Sequence, residues 1–190
     1  MVNIKGRAVL LLVLCTTVLF AGCSGGTTGE SSGGKSQSGY SKDEVYKMYD
    51  LVQINDTKKA VDKALAVSGE TVAEVPDSYN YVDQSTGFGV YVTFSDDKAT
   101  SKTLIFPEVK DLAFLCSEAV TADQGAALSK DMTYDDVKNA LNGEGIQRNV
   151  TSVYDGLSYM YYWVNDDGSL LTVVFGADGK MVSEQFIQAD

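Results

Sequence analysis

The chain has 190 residues, with 15 basic and 26 acidic side chains and no histidine, for a formal net charge of −11 at neutral pH. That charge excludes binding nucleic acid through its phosphates, and the missing histidine excludes any Ser-His-Asp, Cys-His or histidine-zinc site. A hydrophobic fraction of 44% with 10% aromatic residues predicts a folded core rather than a disordered chain.

Residues 1–22 read as a secretory signal peptide. Lys5 and Arg7 give a basic start, Ala8 to Leu14 is an unbroken apolar run, and the small residues Ala21 and Gly22 precede Cys23. The run is too short to span about 30 Å of hydrocarbon. Leu19-Phe20-Ala21-Gly22-Cys23 resembles the bacterial lipobox, which implies lipidation of Cys23 and an extracytoplasmic protein anchored to the cell membrane. Residues 23–40 are then the lipidated cysteine and a tether: 13 of the 16 residues from Ser24 to Gly39 are Gly, Ser or Thr. Signal cleavage removes two bases and no acid, which takes the mature chain to −13.

Two helices are predicted next, Lys42 to Val52 and Thr57 to Leu65, followed by strands at Tyr79–Val82 and Gly87–Phe94. Alternation in the second strand puts Phe88, Val90, Val92 and Phe94 on one face and Tyr91 and Thr93 on the other. Cys116 ends the apolar run Leu112–Cys116 and reads as a buried thiol. With Cys15 lost and Cys23 lipidated, it leaves the mature domain without an internal disulfide. A short helix is expected over Thr121–Leu128 and a better punctuated one from Thr133. There Thr133 is the N-cap, Asp136 answers it in a capping box, Met132 and Val137 form a staple, and Gly143 provides the stop. Strands follow at Tyr161–Val164, Leu170–Phe175 and Met181–Ile187, separated by turns at Asn165–Ser169 and Ala177–Gly179.

The two halves of residues 41–190 can be laid over each other. Thr57–Leu65 and Thr133–Leu141 share four of nine residues at an offset of 76, and Val92–Asp97 answers Val173–Asp178 at an offset of 81. The expectation is an α+β fold of two tandem αα-βββ units, 41–107 and 108–190, with helices segregated to one face of an antiparallel sheet. Thr133-Tyr-Asp-Asp-Val137, Leu141-Asn-Gly-Glu-Gly145, Tyr162-Trp163 and Val173-x-Phe175-x-x-Asp178-Gly179-Lys180 together resemble the β-lactamase-inhibitor-protein-like tandem-repeat lipoproteins. That resemblance implies that the two sheets join into one concave surface, which in inhibitory members grips a protein. The family's intradomain cysteine pairs are missing here.

Function is expected on the open sheet face. Alternation places Tyr91, Tyr162, Thr172, Val174 and Phe186 there as a partner-binding surface for an extracytoplasmic protein or peptide, because Tyr gives large, stiff contacts. A small-molecule or wall-fragment site between the two units is the alternative reading. The adjacent acids Asp43-Glu44, Asp96-Asp97, Asp135-Asp136 and Asp166-Asp167 read as caps and turns rather than as a facing catalytic pair. Neighbouring Ser-Lys residues such as Ser101-Lys102 point apart and make no catalytic dyad. A non-enzymatic monomer without cofactor or metal is expected.

Overall fold

The computed structural model describes residues 39–189. The signal peptide, Cys23 and nearly all of the tether lie outside them. Among the described residues, two short helices, α1 (Lys42–Tyr46) and α2 (Lys58–Leu65), precede strands β1 (Glu70–Thr71), β2 (Ser78–Val82), β3 (Gly89–Ser95) and β4 (Lys98–Ile105). A 3-10 segment, Val109–Leu115, leads to α3 (Ala122–Ala126) and α4 (Tyr134–Ala140). Strands β5 (Ile146–Val153), β6 (Gly156–Val164), β7 (Leu170–Phe175) and β8 (Met181–Ile187) complete the chain. All eight strands form one antiparallel meander in sequence order. The α+β architecture is therefore as expected, but four strands follow each helix pair where three were predicted. The additional ladder strands are mainly β4 and β5, whose Ser, Thr and Asn residues give them little hydrophobic alternation.

Short side chains set the helix starts. The hydroxyls of Ser41, Thr121 and Thr133 each accept the amide three residues on, and their own backbone amides donate back to the side-chain oxygens of Glu44, Gln124 and Asp136. Thr57 caps α2 in the same way through the Ala60 amide. The predicted stop after α4 needs correction: Asn142 at φ 53°, not Gly143, takes the left-handed position, and Ala66 at φ 56° does so after α2. Each capping threonine also bridges the sheet, Thr57 to Lys98 and Thr133 to Lys180.

Two cores lie under the helices. One gathers Val45 of α1, Tyr49 of the turns that replace the expected helix beyond Tyr46, and Val61 of α2 with Tyr81, Val90, Val92 and Leu104 from β2–β4. The other joins Val137 and Leu141 to Trp163, Leu171, Val173 and Phe175. Tyr161 and Trp163 share the face of Leu171 and Val173, as alternation predicted. The first core also takes in Leu112 and Ala113 of the 3-10 segment together with Ile146, Val164 and Leu170. These last three point away from α4, so the sheet is covered on that side where β6 ends and β7 begins.

Strands β4 and β5 join the two halves through only three residue pairs, Ser101–Thr151, Lys102–Val150 and Thr103–Asn149. Side chains reinforce this short ladder. The two N–H groups of the Asn149 side chain are shared among three acceptors, Ser101 Oγ (3.0 Å), Thr103 Oγ1 (2.7 Å) and the Lys102 carbonyl (3.1 Å). Thr151 donates to Asn149 Oδ1 at 2.8 Å.

Candidate functional site

The face turned away from the helices is built by strand register. Tyr91 pairs with Asn80 on one side and Thr103 on the other; Tyr162 pairs with Thr172, and Met160 with Val174. Tyr91, Tyr162, Thr172 and Val174 are all half-buried on this face, where the sequence placed them. Phe186 is not. It pairs with Leu171, which faces the helices, and it packs on the core that holds Trp163 and Val173. The reason is a bulge: the register shifts between Val174 and Phe175, so alternation counted through the turn assigns β8 to the wrong side.

Register also adds residues that sequence reasoning missed. Thr93, Ser101, Thr103, Asn149, Thr151 and Ser158 form a hydroxyl and amide band across the middle of the open face. The signal was present in the β-branched and polar alternation of Asn149–Val153, but one-sided polar strands carry a weak periodicity. Ser101 and Lys102 do point to opposite faces, which rules out a Ser-Lys dyad there.

This face is free of charge over most of its width. From β2 to β7 the outward ladder positions Ser78–Val82, Gly89–Thr93, Ser101–Ile105, Asn149–Thr151, Ser158–Val164 and Leu170–Val174 hold no Asp, Glu, Lys or Arg. Arg148 enters from the β5 bulge with its guanidinium 4.6 Å from the Phe106 ring centre and 5.9 Å from that of Tyr162. Glu70 stands on the two-residue edge strand. The acids sit elsewhere, in local hydrogen bonds. Amide and hydroxyl donors of Ser41 and Thr133 hold the carboxyls of Glu44 and Asp136 below the usual range. The hydroxyl and amide of Ser85 and Ser169 do the same for Asp83 and Asp167 in the strand-connecting turns.

The opposite, helix-bearing side has clefts. One of about 260 Å³ is lined by Tyr46, Tyr134, Gln147 and Tyr161. Another of about 560 Å³ lies over β5 and β6 beside Ile54, Lys102, Leu157 and Tyr159. Lys102 is 8% exposed, and its ammonium donates to the carbonyls of Tyr49 (3.1 Å) and Val52 (2.8 Å). Burial pulls its pKa below the ordinary lysine value. Those carbonyls belong to the turns that follow α1, so Lys102 ties that segment to β4. A third cavity, about 990 Å³, borders Tyr40, Phe114, Cys116 and Asn165. Cys116 is half-buried rather than buried; it accepts the Val164 amide at 3.2 Å, and desolvation raises its pKa, which disfavours the thiolate.

No family model and no curated protein matches the chain. Among solved structures, a Streptococcus mutans protein provisionally designated a beta-lactamase inhibitor protein is similar at a TM-score of 0.49 and 8% identity. The likeness covers 80% of this chain and 100% of that one. So distant a likeness assigns neither a family nor a partner.

Proposed function

We propose that this chain is a non-catalytic binding module that holds a protein partner against its open sheet face. One observation carries the reading: a protein with 26 acidic residues keeps carboxylates off the middle of that face, where Arg148 is the one charge brought in, and sets Tyr91 and Tyr162 into it. Protein-binding surfaces have such centres, depleted of charge and enriched in tyrosine. The absence of histidine and the engagement of the paired acids in caps and turns support a non-catalytic role. Anchoring through Cys23 at the cell surface rests on the Leu19–Cys23 motif. An inhibitor-like mode, closing over a partner's cleft, is what the family resemblance of Thr133–Lys180 implies.

The same reading treats the two halves as copies of one unit whose sheets join edge to edge. It draws on the repeated order of two helices and four strands, and on the matching threonine–lysine bridges Thr57–Lys98 and Thr133–Lys180. Two Asp-x-Ser turns, Asp83–Ser85 and Asp167–Ser169, also correspond.

Charging the face tests the proposal. Tyr91→Glu and Val174→Glu are expected to abolish retention of the envelope protein that the wild type captures, while Lys63→Glu on α2 leaves it unchanged. Equal retention by all variants overturns the open face as the binding surface.

A further inference from the structure

We infer a second binding site on the other side of the sheet: the cleft between α1 and α4 takes an organic cation with an alkylammonium head. It is independent of the open face. Three tyrosines wall the cleft, Tyr46 from α1, Tyr134 from the first turn of α4 and Tyr161 from β6. Tyr134 and Tyr161 stack with ring centres 4.6 Å apart and planes 33° apart, which makes one aromatic wall. The volume of about 260 Å³ holds a branched head group and a short stem.

Two of the three phenol protons are already committed. Tyr46 donates to the Gln147 carbonyl at 3.4 Å, Tyr134 donates to the Glu144 carbonyl at 2.7 Å, and the Tyr161 oxygen accepts from the Gln147 amide at 3.1 Å. A ligand therefore meets aromatic carbon and the Tyr161 hydroxyl oxygen, and a ring's outer face and an oxygen lone pair both favour a cation. Charge agrees. Asp43, Asp50 and Glu144 line the rim against Lys42, and Lys138 pairs with Glu144 at 2.8 Å. Three carboxylates thus face two ammonium groups on a molecule of net charge −11, a field that draws in cations and repels anions. Lys42 is the resident competitor for the cleft.

A lysine side chain and a free quaternary amine share this chemistry, and the probes separate them. The full chain is titrated with choline, with N-acetyl-lysine amide and with 3,3-dimethylbutanol, the uncharged isostere of choline. Amide NMR shifts at Gly145 and Gln147 give the readout. Saturable binding of either cation in the ~1–10 mM range is expected, with the alcohol at least about tenfold weaker. The tighter cation names the source. Glu144→Gln is expected to weaken binding about threefold and Tyr134→Leu about fivefold, whereas Lys42→Gln tightens it. Tyr91→Glu on the open face changes nothing, which separates this site from the proposed protein surface. Glu144 and Lys42 are exposed, so their variants remain informative if Tyr134→Leu fails to fold. Binding of the alcohol as tight as choline, no saturable shift at the lining amides, or equal affinity in the Glu144 and Lys42 variants would each overturn the inference.

Discussion

Trp163 shows how a single residue organises the second core. The indole is 1% exposed, and its N–H donates to the Gly143 carbonyl at 2.9 Å. Gly145 lies against the ring at φ 66°, and a Cβ there would come within 2.7 Å of Trp163. Gly179, at φ 75°, has open space around it. Both positions favour glycine, but only one adds a clash. Gly145→Ala is expected to cost about 3 kcal/mol and Gly179→Ala about 1 kcal/mol. Urea unfolding followed by the emission of Trp163, the sole tryptophan, measures both. Equal costs would show that Trp163 does not crowd Gly145. The Leu141–Gly145 segment was singled out in sequence, but its contact with Trp163 was not legible, because the two are brought together only by folding α4 over β6.

Among the elements, β8 separates legible from illegible information. Its existence was plain from Met181–Ile187 and the preceding turn, whereas its facing was not, because the bulge opposite Phe175 reverses the count. Phe186 consequently supports the core and not the proposed binding surface. Phe186→Ala is expected to cost about 2 kcal/mol, less than for a fully buried phenylalanine because the side chain is half-buried. Partner retention by the folded variant should remain at the wild-type level. Lost retention with unchanged stability would return Phe186 to the binding surface. Strands β4 and β5 teach the converse lesson. Their faces are polar on the open side, so hydrophobic alternation is faint, and their pairing depends on an Asn149 network that spans 46 to 48 residues of sequence. The cap of α4, by contrast, is a contact of three residues and was written in the local sequence.

At the scale of the whole molecule, ionisation frames stability from both ends. Burial raises the pKa of Tyr46, Tyr49, Tyr81 and Tyr161, and takes Tyr134 to about 12. A raised folded-state value means that the unfolded chain loses these protons first. Their stabilisation is complete below the ordinary tyrosine value of 10.0 and is lost as pH rises above it. Lys102 has the opposite sign, since its folded value is lowered: its contribution improves as pH approaches 10.5, but one lysine opposes five tyrosines. On the acid side, Glu44, Asp83, Asp136 and Asp167 are held low, so their contribution is present above the unfolded values of 3.8 to 4.5 and is lost as pH falls through the folded ones. With no histidine, urea midpoints are expected to be flat from about pH 5 to 9 and to fall on both sides, the alkaline fall coinciding with phenolate absorbance. A slope through neutrality, or tyrosines that ionise freely in the folded state, would contradict this burial pattern.

The sequence by itself determined the α+β class, the cap of α4, the facing of Tyr91, Tyr162, Thr172 and Val174, and the use of paired acids as caps and turns. Each rests on residues within one helical turn or on simple alternation along one strand. Only the tertiary structure decided that eight strands form one sheet, that Phe186 turns inward, and that the open face is almost uncharged while three tyrosines converge on the other side. Those outcomes depend on bulges and on pairings between distant segments. Register sums every shift along the sheet, and no local pattern records that sum.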